Sequence, residues 1–178
     1  MLRRMSGTIR RVAVPASLFL VAALLGGGCD LSTKAWAEET LRDQPGQTMS
    51  VIDPHVDFTL HYNEGTAFSA VQDLGGSVRV AFGVVSLLVV VVLFVVAVRK
   101  PEHRIQALAL GTIAGGAIGN GLDRILRTGV VDFIQVNYPW GGSWPVFNVA
   151  DALVAVGVAV LLIGSWVSRE PPPSPAEG

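Results

Sequence analysis

Charged residues are scarce in this chain of 178 residues: lysine, arginine, aspartate and glutamate make up 15% of it, whereas 51% of the residues are hydrophobic. Soluble domains carry about 25% charged residues, so this composition excludes an ordinary soluble domain. The single cysteine, Cys29, excludes an intramolecular disulfide. No soluble segment is rich in lysine and arginine, which argues against a nucleic-acid partner.

Long apolar runs are abundant instead. Val80 to Val98 is 19 residues without a charge, long enough to cross a hydrocarbon core of roughly 30 Å at about 1.5 Å per residue. Strands are much shorter than such runs, so we predict helices. The runs predict four transmembrane spans, at about 12–36, 79–98, 105–126 and 146–167.

Basic residues lie mostly on one side of these spans. Four arginines precede the first span, three basic residues separate the second from the third, and Arg169 follows the fourth, so eight of the 13 share a side. The positive-inside rule makes that side cytoplasmic, with both termini inside. Segments 37–77 and about 127–145 are then outside. The proline-rich tail 170–178 is predicted to be a disordered cytoplasmic end.

Alternating polarity predicts a strand in the first external segment. One face carries Val56, Phe58, Leu60 and Tyr62, with polar residues between them. This is the period of a half-buried strand. The predicted fold class is therefore a membrane all-α bundle of four transmembrane helices with a small extracytoplasmic β-sheet platform, formed by the whole chain as one domain. An extended peptide could bind such a platform by strand addition.

Two carboxylates, Asp132 and Asp151, stand at the outer ends of adjoining apolar segments. Holding a carboxylate charged on a membrane segment is costly, so it indicates function by default. Two on the same side of the bilayer suggest a pair that shares a proton and activates a water. Taken singly, Asp132 could equally be a turn residue, and Asp151 a helix-start charge favoured by the helix dipole.

Other hydrolytic chemistries find little support in the sequence. Serine catalysis lacks a good candidate base, because His103 is predicted to be cytoplasmic and His55 and His61 flank the strand pattern. No segment resembles the helical motif of zinc proteases.

Five sequence blocks occur in order, with compatible spacings, between about Val12 and Val167: Asp30–Lys34, Asn63–Ser69, Gly119–Arg124, Val130–Ile134 and Phe147–Asp151. Together they resemble the lipoprotein signal peptidases (signal peptidase II). Any one block is weak, whereas five in order on a four-span topology are highly specific. The resemblance implies a membrane aspartic endopeptidase of the bacterial inner membrane, active at its outer face. Such an enzyme removes prolipoprotein signal peptides by cutting before a cysteine that carries a diacylglyceryl group.

The resemblance also implies roles for individual residues. The catalytic pair falls on Asp132 and Asp151, and no metal or organic cofactor is expected. The implied partners are diacylated prolipoproteins and membrane lipid. The residues implied in substrate binding or support of the site are Asp30, Lys34, Asn63, Gly65, Asn120, Asp123, Arg124 and Asn148.

Several of these polar residues also have a plain structural interpretation. Asp30 and Lys34, four residues apart, could form an intrahelical ion pair or could bind substrate or order the site. Asn63 suits either a tight turn or a contact with the substrate backbone, with Gly65 allowing close approach. Asp123 is expected to be structural, held ionised by its neighbour Arg124. Arg124 is also expected to support the network that Asn120 and Asn148 form beside the pair, because these asparagines are expected to face inward.

Small residues on the third span bear on oligomeric state. Gly111, Gly115 and Gly119 repeat every four residues, which could indicate a dimer face or close helix packing within one chain. We expect the second, and a monomer.

Parts of the sequence also suggest two functions other than that of a peptidase. The arginines and apolar run before Gly26–Cys29 look like the signal peptide of a lipoprotein lipidated at Cys29, although three further spans and a glycine three residues before the cysteine argue against it. A small proton-coupled carrier would also use intramembrane carboxylates, but would need them along a path through the bilayer.

Overall fold

A computed structural model describes residues 2–64, 76–99 and 103–167, with side chains from Val12 onwards in these ranges. Four helices are long and apolar enough to cross a membrane: α1 (Leu2–Leu41), α2 (Gly76–Arg99), α3 (Arg104–Leu126) and α4 (Val149–Val167). Three strands, β1 (Thr48–Ile52), β2 (Val56–Asn63) and β3 (Val130–Val136), form an antiparallel sheet in the order β1-β2-β3. The predicted fold class, four membrane helices with a small sheet, is confirmed.

The helix α3 occupies the centre of the bundle, because it packs against each of the other three helices. Its glycines allow this close approach. A Cβ at Gly111 would lie 2.5 Å from the carbonyl oxygen of Phe19 on α1, and a Cβ at Gly116 would lie 2.4 Å from that of Ala150 on α4. Small residues at such contacts are the usual means of bringing membrane helices together. The predicted packing of Gly111 and Gly115 within one chain is confirmed.

The sheet rests on the C-terminal end of α1. This helix has 40 residues, about 60 Å at 1.5 Å per residue, so it extends well beyond a hydrocarbon core of about 30 Å. Leu41 at its end, together with Ala37, packs against Leu60 of β2 and against Val131 and Phe133 of β3 in one buried cluster. The extension of α1 therefore positions the sheet above the bundle.

The third strand lies in the segment of about 127–145, for which no strand was predicted from the sequence. Valine and isoleucine are frequent in 130–136 and favour a strand. In the pairing with β2, His61 lies opposite Asp132 and Asn63 lies opposite Val130. This pairing brings the block that contains Asn63 to the block that contains Asp132.

Candidate active site

Asp132 lies on β3 and is only 2% exposed. Two asparagine side chains donate hydrogen bonds to its carboxylate. The Nδ2 atom of Asn148 lies 2.7 Å from Oδ1, and that of Asn63 on β2 lies 3.1 Å from Oδ2. Asn63, for which a turn or a substrate contact was expected, therefore orients Asp132 directly.

Asp151 lies in the first turn of α4 and is exposed. Asn148 and Asp151 cap the start of this helix reciprocally. The backbone N–H of Asp151 donates to Oδ1 of Asn148 at 3.0 Å, and the backbone N–H of Asn148 donates to Oδ2 of Asp151 at 3.2 Å. This arrangement resembles a capping box, and it explains why α4 begins at Val149, later than the span predicted from 146.

Asn148 and Asn120 connect the two carboxylates. The Nδ2 group of Asn148 contacts Asp132 and also Oδ1 of Asn120 at 3.0 Å, while Nδ2 of Asn120 donates to Oδ1 of Asp151 at 2.8 Å. Each carboxylate is thus held by asparagine side chains that contact each other. The prediction that Asn120 and Asn148 face inward beside the pair agrees with these contacts.

A buried ion cluster lies directly behind this network. Lys34 on α1 is 0% exposed, and its Nζ lies 2.8 Å from Oδ2 of Asp30 and 2.9 Å from Oδ2 of Asp123. The same Nζ donates to Oδ1 of Asn120 at 2.8 Å. Asp30 and Lys34 therefore form more than an intrahelical pair, because Lys34 joins α1 to α3 at the site.

The two acids of this cluster hold the backbone beside the two candidate catalytic residues. Oδ1 of Asp30 accepts the N–H of Ala150 at 2.7 Å, and Oδ2 of Asp123 accepts the N–H of Val131 at 3.1 Å. Ala150 precedes Asp151, and Val131 precedes Asp132. Lys34 thus connects the supports of both carboxylates.

The partners of Asp123 differ from the expectation that Arg124 would hold it ionised. Besides Lys34, Asp123 pairs with Arg127, whose Nε lies 3.2 Å from Oδ1, and Arg127 also pairs with Glu38 of α1. Arg124 instead donates to the backbone oxygen of Asn120 at 3.1 Å. The reason is geometric, because on a helix residues four apart share a face whereas adjacent residues do not.

Arg127 and Glu38 were not among the site residues expected from the sequence. The spacing of Asp123 and Arg127, four residues apart, was a usable signal for their pairing. Nothing in the sequence indicated the contact with Glu38, which lies on another helix. Gly65, predicted to allow close approach of the substrate, lies outside the described residues.

Burial sets the protonation behaviour of Asp132. It raises the pKa of this carboxyl from 3.8 to about 6, the hydrogen bond from Asn63 opposes the rise, and the charge of Asp151 adds to it. Burial disfavours the charged form, and a neighbouring carboxylate acts in the same direction. Asp132 is therefore readily protonated next to an exposed carboxyl group.

The described residues contain no group of three or more histidine, cysteine, aspartate or glutamate side chains placed to hold a metal ion. The chemistry available at the site is that of two linked carboxyl groups, a set of asparagine amides and a buried ammonium group. Such a set can activate a water molecule and transfer protons.

Comparison with known proteins gives a consistent result. Residues 21–167 match the family model described as signal peptidase (SPase) II. A lipoprotein signal peptidase of Cellvibrio japonicus (strain Ueda107) is 39% identical over 145 residues, covering 79% of this chain and 81% of the relative. One of Methylorubrum extorquens (strain PA1) is 37% identical over 150 residues, covering 82% and 84%. A solved bacterial membrane enzyme structure superposes with a TM-score of 0.72 at 26% identity, covering 85% of this chain and 94% of that one.

Proposed function

This chain belongs to the signal peptidase II family, and we propose that it acts as an aspartic endopeptidase in which Asp132 and Asp151 form the catalytic pair. The proposed substrates are diacylated prolipoproteins of a bacterial inner membrane, cut on the outer side, before the lipidated cysteine. Membership of a peptidase family favours this function over the carrier and over a lipoprotein lipidated at Cys29.

One observation carries the assignment of the pair: Asn148 contacts both carboxylates, through its side chain to Asp132 and through its backbone N–H to Asp151. Peptide hydrolysis by two carboxyl groups needs an ionised member that takes a proton from water and a neutral member that polarises the carbonyl. The other acids near the site, Asp30 and Asp123, are engaged by Lys34 and by backbone N–H groups. That engagement suits supporting roles.

The two members have different environments, which favours a division of roles. Asp132 is buried and its pKa is raised to about 6, so it is the better candidate for the neutral acid. Asp151 is exposed and can meet the attacking water.

Access from the bilayer fits a lipidated substrate. The helices α2 and α4 each pack against α3 but have no close packing with each other among the described residues, which leaves a flank of α3 facing lipid. Asp151 lies in the first turn of α4, at the boundary between that span and the external segment. An acyl chain could remain in the bilayer while the peptide enters the site, and each buried methylene contributes about 0.8 kcal/mol.

The catalytic pair is tested by replacing each aspartate with asparagine. We expect Asp132→Asn and Asp151→Asn each to reduce cleavage of a diacylated prolipoprotein below a few per cent, because an amide can neither activate water nor complete the pair. The double variant should lose little more, since either change disables the unit. Asp43→Asn, a change to an exposed acid beyond the end of α1, serves as the control and should retain activity. Substantial cleavage by a single variant would remove that residue from the catalytic role.

The substrate assignment is tested with one prolipoprotein before and after diacylglyceryl transfer. At matched membrane concentration, the purified protein should cut only the lipidated form, and mass spectrometry of the products should place the cut before the modified cysteine. Equal cutting of both forms would show that the lipid is not recognised. A cut elsewhere would contradict the proposed cleavage site while leaving the peptidase chemistry intact.

A further inference from the structure

A second surface with a distinct composition lies beyond β3. The segment Val136–Phe147 contains no charged residue but includes Tyr138, Trp140 and Trp144. Trp140 is 82% exposed and Trp144 is 56% exposed. Tryptophan and tyrosine are enriched where proteins meet the interface between membrane and water. We refer to residues 136–147 as the aromatic hairpin.

The aromatic hairpin is an ordered structure. The backbone N–H of Trp144 donates to the oxygen of Val136 at 2.8 Å, and that of Tyr138 donates to the oxygen of Gly142 at 2.9 Å. Gly141 and Gly142 form its tip with φ angles of 97° and 83°, a conformation that favours glycine. The rings of Tyr138 and Trp140 stack with centroids 5.4 Å apart. The exposed indoles are therefore presented by a defined turn.

The hairpin is also tied to its surroundings at both ends. The N–H of Asn137 donates to the oxygen of His55, in the turn between β1 and β2, and Phe147 pairs with Ile134 on β3. At about 3.3 Å per strand residue, Val136 lies about 13 Å along β3 from Asp132. The exposed indoles thus belong to the far end of the sheet and not to the lining of the candidate active site.

The position of α4 indicates what this surface meets. α4 has 19 residues, about 28 Å at 1.5 Å per residue, which matches a hydrocarbon core of about 30 Å with little to spare. The hairpin ends one residue before the Asn148 cap, so it leaves α4 at the boundary of the hydrocarbon. An uncharged, aromatic turn connected to α4 at that boundary suits the lipid headgroup region.

We propose that the aromatic hairpin inserts Trp140 and Trp144 into the outer boundary of the phospholipid bilayer beside α4, and thereby holds the far end of the sheet on the membrane. The insertion is shallow, because a hairpin backbone exposed to lipid cannot lie within the hydrocarbon. The hydrogen bond between Asn137 and His55 transmits this attachment to the β1–β2 turn. The inference does not depend on the peptide chemistry proposed above.

Fluorescence quenching by brominated lipids tests the insertion. Variants that keep a single tryptophan, at 140 or at 144, are made by changing the other three of Trp36, Trp140, Trp144 and Trp166 to phenylalanine. They are reconstituted in phosphatidylcholine vesicles brominated either near the headgroup or near the chain ends. A tryptophan-free protein carrying Asp43→Trp is the control, because position 43 follows the end of α1. On α1, Asp30 lies about 16 Å below Leu41. The carboxylate of Asp30 meets the start of α4 at Ala150, so position 43 lies well above the start of α4.

Both native tryptophans should be quenched several-fold more strongly than the control, and more by shallow than by deep bromine. Quenching of either tryptophan that does not exceed the control would overturn the proposal. So would stronger quenching by deep than by shallow bromine. A blue-shifted emission without bromine quenching would indicate burial against protein, such as a second copy, and would also overturn it.

Discussion

At the scale of single residues, the site depends on acids with different tasks. Asp132 and Asp151 are both held by the connected side chains of Asn120 and Asn148, whereas Asp30 and Asp123 pair with Lys34 and hold backbone N–H groups. A buried carboxylate is tolerated when it is paired and hydrogen-bonded. Asp30 and Asp123 satisfy this condition, so they are suited to support the site. Asp132 and Asp151 do not satisfy it fully, so they are suited to proton transfer.

Sequence alone distinguished these acids only in part. Asp132 and Asp151 were identified by their position at the ends of apolar segments and by the resemblance of their blocks to one family. The role of Lys34 as the link between Asp30, Asp123 and Asn120 could not be predicted, because it joins residues up to 89 positions apart on two helices. Spacing along one helix indicates an ion pair, but it does not reveal which neighbouring helix supplies the second acid.

The raised pKa of Asp132 makes the stability of the protein depend on pH in a defined direction. An acid whose pKa rises on folding stabilises the native state below the unfolded value, here 3.8, and this contribution is lost as pH rises through about 6. The difference corresponds to at most about 3 kcal/mol. The free energy of unfolding of Asp132→Asn, which cannot titrate, should therefore improve relative to the unchanged protein between pH 4 and pH 7.

Equilibrium unfolding in mixed micelles at several pH values measures this difference. Asp43→Asn is the control, and its stability should follow that of the unchanged protein across the range. If the free energy of unfolding of Asp132→Asn also changes with pH in parallel with that of the unchanged protein, then Asp132 does not become easier to protonate on folding.

At the scale of elements, helix ends and close helix contacts position the site. α4 begins at its cap, Asn148, and this capping arrangement carries one of the two carboxylates. α3 reaches α1 closely enough for Asp30 to lie against Gly119. Run length predicted the helices because the bilayer imposes a minimum length. β3 was missed, although its valines and isoleucine favour a strand, because its partner β2 lies about 70 residues earlier in the chain.

Gly119 provides a test of the contact between α1 and α3. A Cβ at this position would lie 2.1 Å from Oδ2 of Asp30, a fully buried oxygen. Gly119→Ala should therefore displace the carboxylate from Lys34 and from the N–H of Ala150. We expect a loss of about 3 kcal/mol or more in the free energy of unfolding, together with reduced cleavage.

Gly28→Ala on α1 is the matched control, since a Cβ there would meet nothing within 4 Å. Replacing an unconstrained helical glycine by alanine is expected to be neutral or to stabilise by about 0.5–1 kcal/mol. Both variants are compared by unfolding in mixed micelles and by cleavage of one substrate. Equal stability of the two variants would show that Asp30 does not need the space at Gly119.

At the scale of the whole molecule, four helices apolar enough to cross a membrane are separate from a small sheet at one end of the bundle, and the candidate site lies where they meet. The exposed surface of α2 is largely valine, with one exposed leucine and one exposed phenylalanine among its large hydrophobic side chains. The polar network lies at one end of the bundle, where α1, α3, α4 and β3 converge. A peptide bond that leaves the bilayer would meet the two carboxylates at this junction.

The distribution of basic residues predicts the orientation of the molecule in the membrane. Eight of the 13 basic residues lie on the side that carries the termini and the link between α2 and α3, so that side is expected to be cytoplasmic. In a protein with Cys29→Ser, cysteines introduced by Asp43→Cys and Ser50→Cys should react with an impermeant maleimide in intact spheroplasts. Glu102→Cys, in the link between α2 and α3, should react only after the membrane is permeabilised. Reaction of Glu102→Cys in intact spheroplasts, with protection of the other two, would reverse the orientation and would place the paired carboxylates at the cytoplasmic face.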